Sequence, residues 1–194
     1  MEIKAADVAK LRKMTGAGMM DCKKALTEAE GDFDRAQEII REKGKLIASK
    51  RADREASEGV VVAKTVGSKA YMLCLACETD FVAKNESFVA TANEILDIAI
   101  KNDAADIDAL MAVKVGDHTV AEFVTDKSGQ TGEKVEIAYY ARIEASYIST
   151  YVHFNGKLGT LIGFNAEVGE EVGKNVAMQA ATMAPIAISK DDYP

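Results

Sequence analysis

The first quarter of the chain carries apolar residues at the three- and four-residue spacing that is typical of short amphipathic helices. Val8 and Leu11 begin this pattern, and turns that contain glycine divide it into successive stretches. Asp32 directly precedes the last stretch and is a candidate N-cap for it. The pattern predicts three helices over residues 1–44, packed as a small bundle and ended by Gly44.

Residues 45–58 break the apolar pattern. This segment carries several lysines and arginines and few large apolar side chains. Such a composition between two patterned regions is typical of a domain boundary. We therefore predict a basic, partly helical linker between the bundle and the rest of the chain.

Beyond the linker the period changes from that of helices to that of strands. Two apolar runs flank Gly67-Ser68, which predicts a β-hairpin. Residues 86–101 then return to helical spacing, and two shorter helices with polar caps are expected after them. We assign residues 59–132 to a first α+β subdomain.

Residues 133–194 repeat this order of elements. Alternating apolar and polar residues from Val135 to Glu144 predict a half-buried strand. Two further runs flank Asn155-Gly156, a pair that favours a type I′ hairpin turn, and helical spacing follows them. The predicted fold class is α+β: a three-helix bundle followed by two α+β subdomains, each with an antiparallel sheet flanked by helices.

Composition narrows the class of protein. The chain has 194 residues, 48% of them hydrophobic, which predicts a folded core. Its net charge of −7, without a stripe of lysine and arginine interleaved with aromatics, argues against direct nucleic-acid binding. No apolar run could span a bilayer and the N-terminus lacks a secretory signal pattern, so we expect a cytoplasmic protein with no membrane partner.

The cysteines are the candidates for reactive chemistry. Cys74 and Cys77 have the CxxC spacing of redox motifs, but they lie within an apolar strand run rather than at the start of a helix. The odd total of three cysteines favours reduced thiols. No second cysteine pair or phosphate-binding glycine loop accompanies them. We expect no catalytic residue, metal or cofactor, and keep a thiol oxidoreductase as the enzymatic alternative.

Two segments are instead typical of protein contacts. Met19 and Met20 follow a glycine turn at the start of a predicted helix, where directions about 100° apart allow one to pack inward while the other stays exposed. Phe81 follows a strand in an otherwise polar loop, next to Asp80. Methionine and phenylalanine more often fill a core, but an exposed phenylalanine beside a carboxylate could act as a wedge in a partner's pocket.

The segments VAKLRKMTGAGMMDCKKAL and ETDFVAKNESF occur in this order, separated by the basic linker. At these two signatures the chain resembles bacterial translation elongation factor Ts, the family of nucleotide-exchange factors for elongation factor Tu. The resemblance runs from about Val8 through the GKLGTLIGF strand to the end of the chain. It implies a guanine-nucleotide exchange factor that is not an enzyme, with elongation factor Tu, GDP-bound and nucleotide-free, as its partner in translation elongation.

The resemblance also implies roles for particular residues. In the family the N-terminal bundle is ubiquitin-associated-like and grips the nucleotide domain of elongation factor Tu. The matching positions here are Leu11, Arg12, Met19, Met20 and Lys23. The TDFV segment of the family pushes in beside the partner's magnesium site, so that Mg²⁺ is dislodged and GDP loosens. Those positions are Thr79, Asp80, Phe81 and Val82. A family histidine before the second hairpin turn lies close to the partner, and His153 matches it.

Family members commonly continue past the point where this chain stops, at SKDDYP. We therefore expect the second subdomain to be incomplete, whether the chain is a fragment or a naturally short form. An open sheet edge could pair with another chain, which would give a homodimer. The main alternative to an exchange factor is a non-exchanging interaction scaffold that uses the helical bundle to hold a different partner.

Overall fold

A computed structural model describes residues 3–192 as helices joined to antiparallel sheets, which confirms the α+β fold class. The helices are α1 (Ala5–Thr15), α2 (Met19–Glu28), α3 (Phe33–Lys50), α4 (Asp80–Ala83), α5 (Glu86–Lys101), α6 (Ile107–Ala112), α7 (Val120–Thr131) and α8 (Glu170–Met183), with a 3₁₀ turn at Lys190–Asp192. The strands are β1 (Glu58–Val66), β2 (Lys69–Cys77), β3 (Lys114–Val115), β4 (His118–Thr119), β5 (Glu136–Glu144), β6 (Tyr147–Val152) and β7 (Gly159–Phe164). Within residues 3–192, no helix is both long enough and apolar enough to cross a membrane.

The first three helices form the predicted bundle around a small apolar core. Leu11 and Leu26 are fully buried at its centre. Gly16 ends α1 in the left-handed conformation, with φ 69°, where glycine has no steric penalty. Asp32 caps α3 as predicted, because its carboxylate accepts hydrogen bonds from two backbone N–H groups. These two residues set the helix limits that apolar spacing alone leaves open.

α3 does not end at Gly44, as the pattern predicts, but continues to Lys50. Gly44 is instead buried where α3 crosses α7, directly opposite Gly129. A Cβ on Gly129 would clash with the Cα of Gly44, so glycine at position 129 lets the helix backbones approach closely. The Gln130 amide also donates to the carbonyl of Thr15 at 2.6 Å. The bundle is thereby packed against the rest of the protein, and the predicted linker is helical up to Lys50.

The core sheet is antiparallel, with the strand order β1-β2-β5. β1 and β2 form the predicted hairpin, with Val66 opposite Lys69 across a two-residue turn. β5 pairs with the other edge of β2, although it lies in the segment assigned to the second subdomain. One sheet therefore spans both segments, and the predicted domain boundaries stay predictions. α5 covers the sheet, with Phe88 and Ile95 buried against it.

β6 and β7 form a separate antiparallel pair that packs against α8. Residues 153–158 connect the two strands, and the backbone N–H of His153 donates to the carbonyl of Leu158 at 2.8 Å, which closes this loop. Of Asn155 and Gly156, only Gly156 is left-handed, with φ 68°, whereas a type I′ turn needs both residues there. The predicted type I′ turn is therefore wrong. The homodimer expected from an open sheet edge stays a prediction.

Asp103 ties the end of α5 to the core sheet. Its carboxylate accepts hydrogen bonds from the Lys69 ammonium at 2.6 Å, the Tyr71 hydroxyl at 2.7 Å and the Arg142 guanidinium at 3.1 Å. The bond from Lys69, followed by that from Tyr71, lowers the pKa of Asp103 from 3.8 to about 2. The carboxylate is therefore ionised in the folded protein at neutral pH.

Replacing Gly129 by alanine is expected to destabilise the protein, because the new Cβ would press on the backbone of Gly44. The expected loss is about 1–3 kcal/mol, the usual cost of overpacking. Gly44→Ala is the matched control, because its Cβ would lie 3.4 Å from the Gly129 Cα, an ordinary contact. Alanine there should favour the helix by up to about 1 kcal/mol. Urea unfolding measures both variants, and equal stabilities would contradict the close crossing.

Asp103→Asn should test the network at the end of α5. Asparagine keeps the side-chain shape and tolerates the left-handed φ of 47°, but it removes the charge. Because the folded-state pKa of Asp103 is lowered, its stabilising effect is present above about pH 4 and is lost as pH falls toward about 2. The variant should melt below the unmodified protein at neutral pH, and the gap should close across that acidic range. Thermal unfolding followed by circular dichroism measures the gap, and a gap independent of pH would contradict the assignment.

Candidate functional site

β2 ends at Cys77, and the chain then forms one helical turn, α4, rather than the predicted loop. Thr79 caps this turn, because its side-chain oxygen accepts a hydrogen bond from the backbone N–H of Val82 at 3.4 Å. Val82 packs on the apolar core and Ala83 is buried, so the inner side of the turn is anchored. Phe81 remains 84% exposed. The turn therefore presents an aromatic ring to solvent from a fixed base.

Asp80 places a negative charge beside this ring. Its carboxylate forms an ion pair with the ammonium of Lys84, one helical turn later, at 2.6 Å. The hydrogen bond from Lys84 lowers the pKa of Asp80, so the carboxylate is ionised at neutral pH. An exposed aromatic ring and a carboxylate thus lie next to each other on the same turn.

Glu133 holds the chain just before the turn. Its carboxylate accepts hydrogen bonds from the backbone N–H groups of Glu78 and Thr79, at 3.1 and 3.0 Å, and from the Thr79 hydroxyl at 2.6 Å. In return, the Glu78 carboxylate accepts the backbone N–H of Lys134 at 2.6 Å, and Arg51 donates to both of its oxygens at 2.8 Å. The Lys134 N–H is the main cause of the lowered pKa of Glu78. The two segments are thus joined in both directions.

The prediction from sequence does not include Arg51, Glu78 or Glu133. Arg51 falls in the predicted linker, and Glu133 is 54 positions away from Thr79 along the chain. Neither residue therefore carries a local signal for this site. Glu78 does carry one, because it directly precedes the TDFV segment.

The loop between β6 and β7 lies beside the same end of the core sheet. The backbone N–H of Val61 in β1 donates to the carbonyl of Gly156 in this loop at 2.6 Å. Lys157 of the loop forms an ion pair with Glu58. Because Glu58 is opposite Cys77 in the β1–β2 pairing, the loop is close to the base of α4. Lys84 and, to a smaller extent, Lys157 lower the pKa of Asp80. The loop and the turn therefore belong to one surface.

His153 and Phe154 lie on that loop. The Nδ1 atom of His153 is 2.6 Å from the Tyr151 hydroxyl, and the centre of its ring is 4.4 Å from that of Phe154. Phe154 is 93% exposed. The prediction from sequence names His153 but not Phe154, although the Asn-Gly pair directly after Phe154 indicates a turn there. The surface thus carries a second exposed aromatic ring.

The N-terminal residues implied by the resemblance differ in exposure. The exposed ones are Arg12, Met19, Met20 and Lys23. α2 begins at Met19, and the two methionines are 48% and 64% exposed, so neither of them packs inward. Leu11 is fully buried in the bundle core. Its side chain can therefore support this surface but cannot line it.

The CxxC cysteines lie in an unreactive setting. The Cys77 thiol is buried and donates to the carbonyl of Thr79 at 3.2 Å. Burial, reinforced by the charge of Glu133, raises the pKa of Cys77 to about 11, and burial also raises the pKa of Cys74. The thiolate is the reactive form of cysteine, so both thiols are poorly suited to redox chemistry. Among residues 3–192, no three histidine, cysteine or acidic side chains are grouped to hold a metal ion.

Cys77 should resist alkylation in the native protein. With a pKa of about 11, about one thiol in a thousand is ionised at pH 8, and burial hinders the reagent further. Iodoacetamide labelling followed by peptide mass mapping should show rapid modification of Cys74 and Cys77 only after denaturation. Rapid native labelling of both at neutral pH would contradict the structure and favour the thiol oxidoreductase.

Comparisons with known proteins agree with the two sequence signatures. A family model described as Elongation factor TS matches residues 78–194. A relative from Bacteroides thetaiotaomicron named Elongation factor Ts is 52% identical over 192 residues, which cover 98% of this chain and 58% of that relative. The protein of the same name from Parabacteroides distasonis is 52% identical over 195 residues, covering 100% of this chain and 59% of that relative.

A third protein named Elongation factor Ts, from Christiangramia forsetii, is 47% identical over 194 residues, which cover 98% of this chain and 70% of that relative. The chain thus spans less than two thirds of the first two relatives and more than two thirds of the third. The matched range includes α4, Glu133 and the β6–β7 loop. The chain therefore belongs to the elongation factor Ts family.

Proposed function

We propose that this chain is a guanine-nucleotide exchange factor for elongation factor Tu, and that it makes and breaks no covalent bonds itself. The observation that carries the proposal is Phe81, an aromatic ring that is 84% exposed on a turn anchored in the core. Membership of the elongation factor Ts family supports it. The same exposed ring is difficult to explain as a packing residue.

Phe81 would act as a wedge. An aromatic side chain left in water forgoes the free energy of burial, and insertion into a partner's pocket recovers it. Val82 and Ala83 hold the turn on the core, so little conformational entropy is lost when the ring inserts. Beside the bound nucleotide, the ring would separate side chains that hold Mg²⁺ and GDP.

Asp80 would add an electrostatic effect to this insertion. In the free protein its carboxylate is ionised and paired with Lys84. Magnesium prefers oxygen ligands in a strict geometry, so a carboxylate brought close to the ion would disturb its coordination. Weaker Mg²⁺ binding would leave the GDP phosphates less well neutralised, and GDP would dissociate faster.

The N-terminal bundle would provide the grip on the partner. Met19 and Met20 offer exposed, flexible apolar side chains that adapt to an irregular surface. Arg12 and Lys23 add positive charge to the same helices. His153, on the loop beside the turn, would contact the partner near Phe81. The partner would thus be held on two sides.

Exchange follows from the linkage between two molecules that bind the same partner. If the chain binds nucleotide-free elongation factor Tu more tightly than the GDP-bound form, GDP must bind the complex more weakly by the same factor. The chain must therefore bind both forms and prefer the nucleotide-free one. Its net charge of −7 fits a protein partner better than direct nucleic-acid contact.

Phe81→Ala is expected to weaken binding to elongation factor Tu by about 2 kcal/mol or more, as loss of a central anchor would. That corresponds to more than about tenfold in affinity. The measurement is release of a fluorescent GDP analogue from elongation factor Tu at fixed Mg²⁺, while the chain is titrated in. Release should be slower with the variant at every subsaturating concentration.

Tyr139→Ala is the matched control, because Tyr139 is also an exposed aromatic residue, at 76%, but lies on β5 of the core sheet. It should leave GDP release unchanged. Equal release with Phe81→Ala and the unmodified chain would remove the wedge assignment. Binding without accelerated release by the unmodified chain would instead favour the non-exchanging scaffold.

A further inference from the structure

The backbone N–H groups of Glu78 and Thr79 lie beyond the paired part of β2. Pairing with β1 ends at Cys77, and pairing with β5 ends at Ala76. Partly buried N–H groups that leave a sheet need another acceptor, because an unpaired buried donor costs free energy. The carboxylate of Glu133 is that acceptor for both groups.

We propose that Glu133 is a positioning residue for Phe81, which sets the direction in which the turn from Thr79 to Val82 presents the ring. The inference rests on the exchange function proposed above. It assigns to Glu133 a role in that function that requires no contact with the partner. Glu133 would act through the turn, and chiefly through Phe81.

A carboxylate is well suited to this role. Its two oxygens accept and never donate, so three donors of the preceding segment can bind it at once. Bonds to an ionised acceptor are shorter and stronger than bonds between neutral groups, and the Thr79 hydroxyl lies only 2.6 Å from Glu133. A neutral residue at this position would leave at least one of the three donors with a poorer partner.

The bond from the Thr79 hydroxyl also orients the cap of α4. A hydroxyl has one proton and two lone pairs. Because the proton is given to Glu133, a lone pair remains for the backbone N–H of Val82, which lies 3.4 Å from the same oxygen. Glu133 therefore selects the hydroxyl orientation in which Thr79 can begin the turn. Phe81 lies between Thr79 and Val82, the two residues that this cap bond joins.

Glu133 itself stands on a fixed support. It directly follows Gly132, which ends α7 in the left-handed conformation with φ 73°. From the other side, Arg51 directly follows α3 and binds the carboxylate of Glu78. The base of the turn is therefore attached to the ends of two long helices. This attachment makes movement of the turn as a whole unfavourable.

The decisive experiment is a double-mutant cycle between Glu133 and Phe81. Glu133→Ala should raise the concentration of the chain that gives half-maximal GDP release by up to about tenfold, in the same direction as Phe81→Ala, because fewer molecules would present the ring outward. In the Phe81→Ala background, the same change should have a much smaller effect, because only the contribution of Asp80 remains to be lost. Additive losses in the double variant would overturn the proposal, because Glu133 would then act independently of the ring.

Two further variants keep the test independent of folding. Glu133→Gln preserves volume and two acceptor bonds but places an amide group against the Thr79 hydroxyl. The half-saturating concentration should therefore rise a few-fold, and by much less in the Phe81→Ala background. Glu136→Ala is the control, because that carboxylate pairs with Lys134 rather than with the turn. It should leave release unchanged. An effect of Glu136→Ala equal to that of Glu133→Ala would overturn the proposal.

Amide hydrogen exchange separates this inference from the exchange function. In the chain alone, Glu133→Ala should speed exchange at the N–H groups of Glu78, Thr79 and Val82 by about tenfold or more, with the melting of the bundle unchanged. If the unmodified chain does not accelerate GDP release, the proposed function fails. The hydrogen-exchange result still tests whether Glu133 holds the turn. If GDP release is accelerated but these amides exchange hydrogen at the same rate in both proteins, only the proposed role of Glu133 is wrong.

Discussion

The close crossing of α3 and α7 at Gly44 and Gly129 is the contact on which the rest of the arrangement depends. From this crossing each helix runs toward the base of the exposed turn, where Arg51 follows α3 and Glu133 follows α7. A helix rises about 1.5 Å per residue and bends little over such distances, so a shift at the crossing would move both residues. The packing of the bundle and the presentation of Phe81 are therefore set by the same contact.

Sequence alone predicts the elements whose limits depend on neighbouring residues. α5 has its predicted limits of Glu86–Lys101, and the first hairpin forms at Gly67-Ser68, because caps and two-residue turns are local. The role of Gly44 is not local. Glycine both ends helices and permits close helix contacts, and only the distant Gly129 decides between the two. The pairing of β5 with β2 likewise depends on residues far apart in the chain.

The candidate site likewise has features that the local sequence predicts and features that depend on distant residues. The TDFV and GMMD signatures identify the exposed turn and the exposed methionines, but sequence does not say which apolar residues of each segment face solvent. Val82 is anchored while Phe81 is free, and Leu11 is buried while Met19 is exposed. In each pair the hydrophobic character is similar, so only packing decides. The hydrogen bonds of Glu133 connect it to Glu78 and Thr79, which lie more than 50 positions away and which no local pattern links to it.

The hydrogen bonds of Glu133 to the base of the turn counter a difficulty that any exposed aromatic anchor has. A phenyl ring on a flexible segment would fold back onto the chain's own apolar surface, since burial is favourable wherever it is found. Only the fraction of molecules with the ring directed outward would then be competent to bind, and the apparent affinity would fall by that fraction. Charge-assisted bonds at the base of the turn oppose this collapse without adding apolar surface. In the proposed function, the polar network behind Phe81 is therefore what would keep an apolar ring available to the partner.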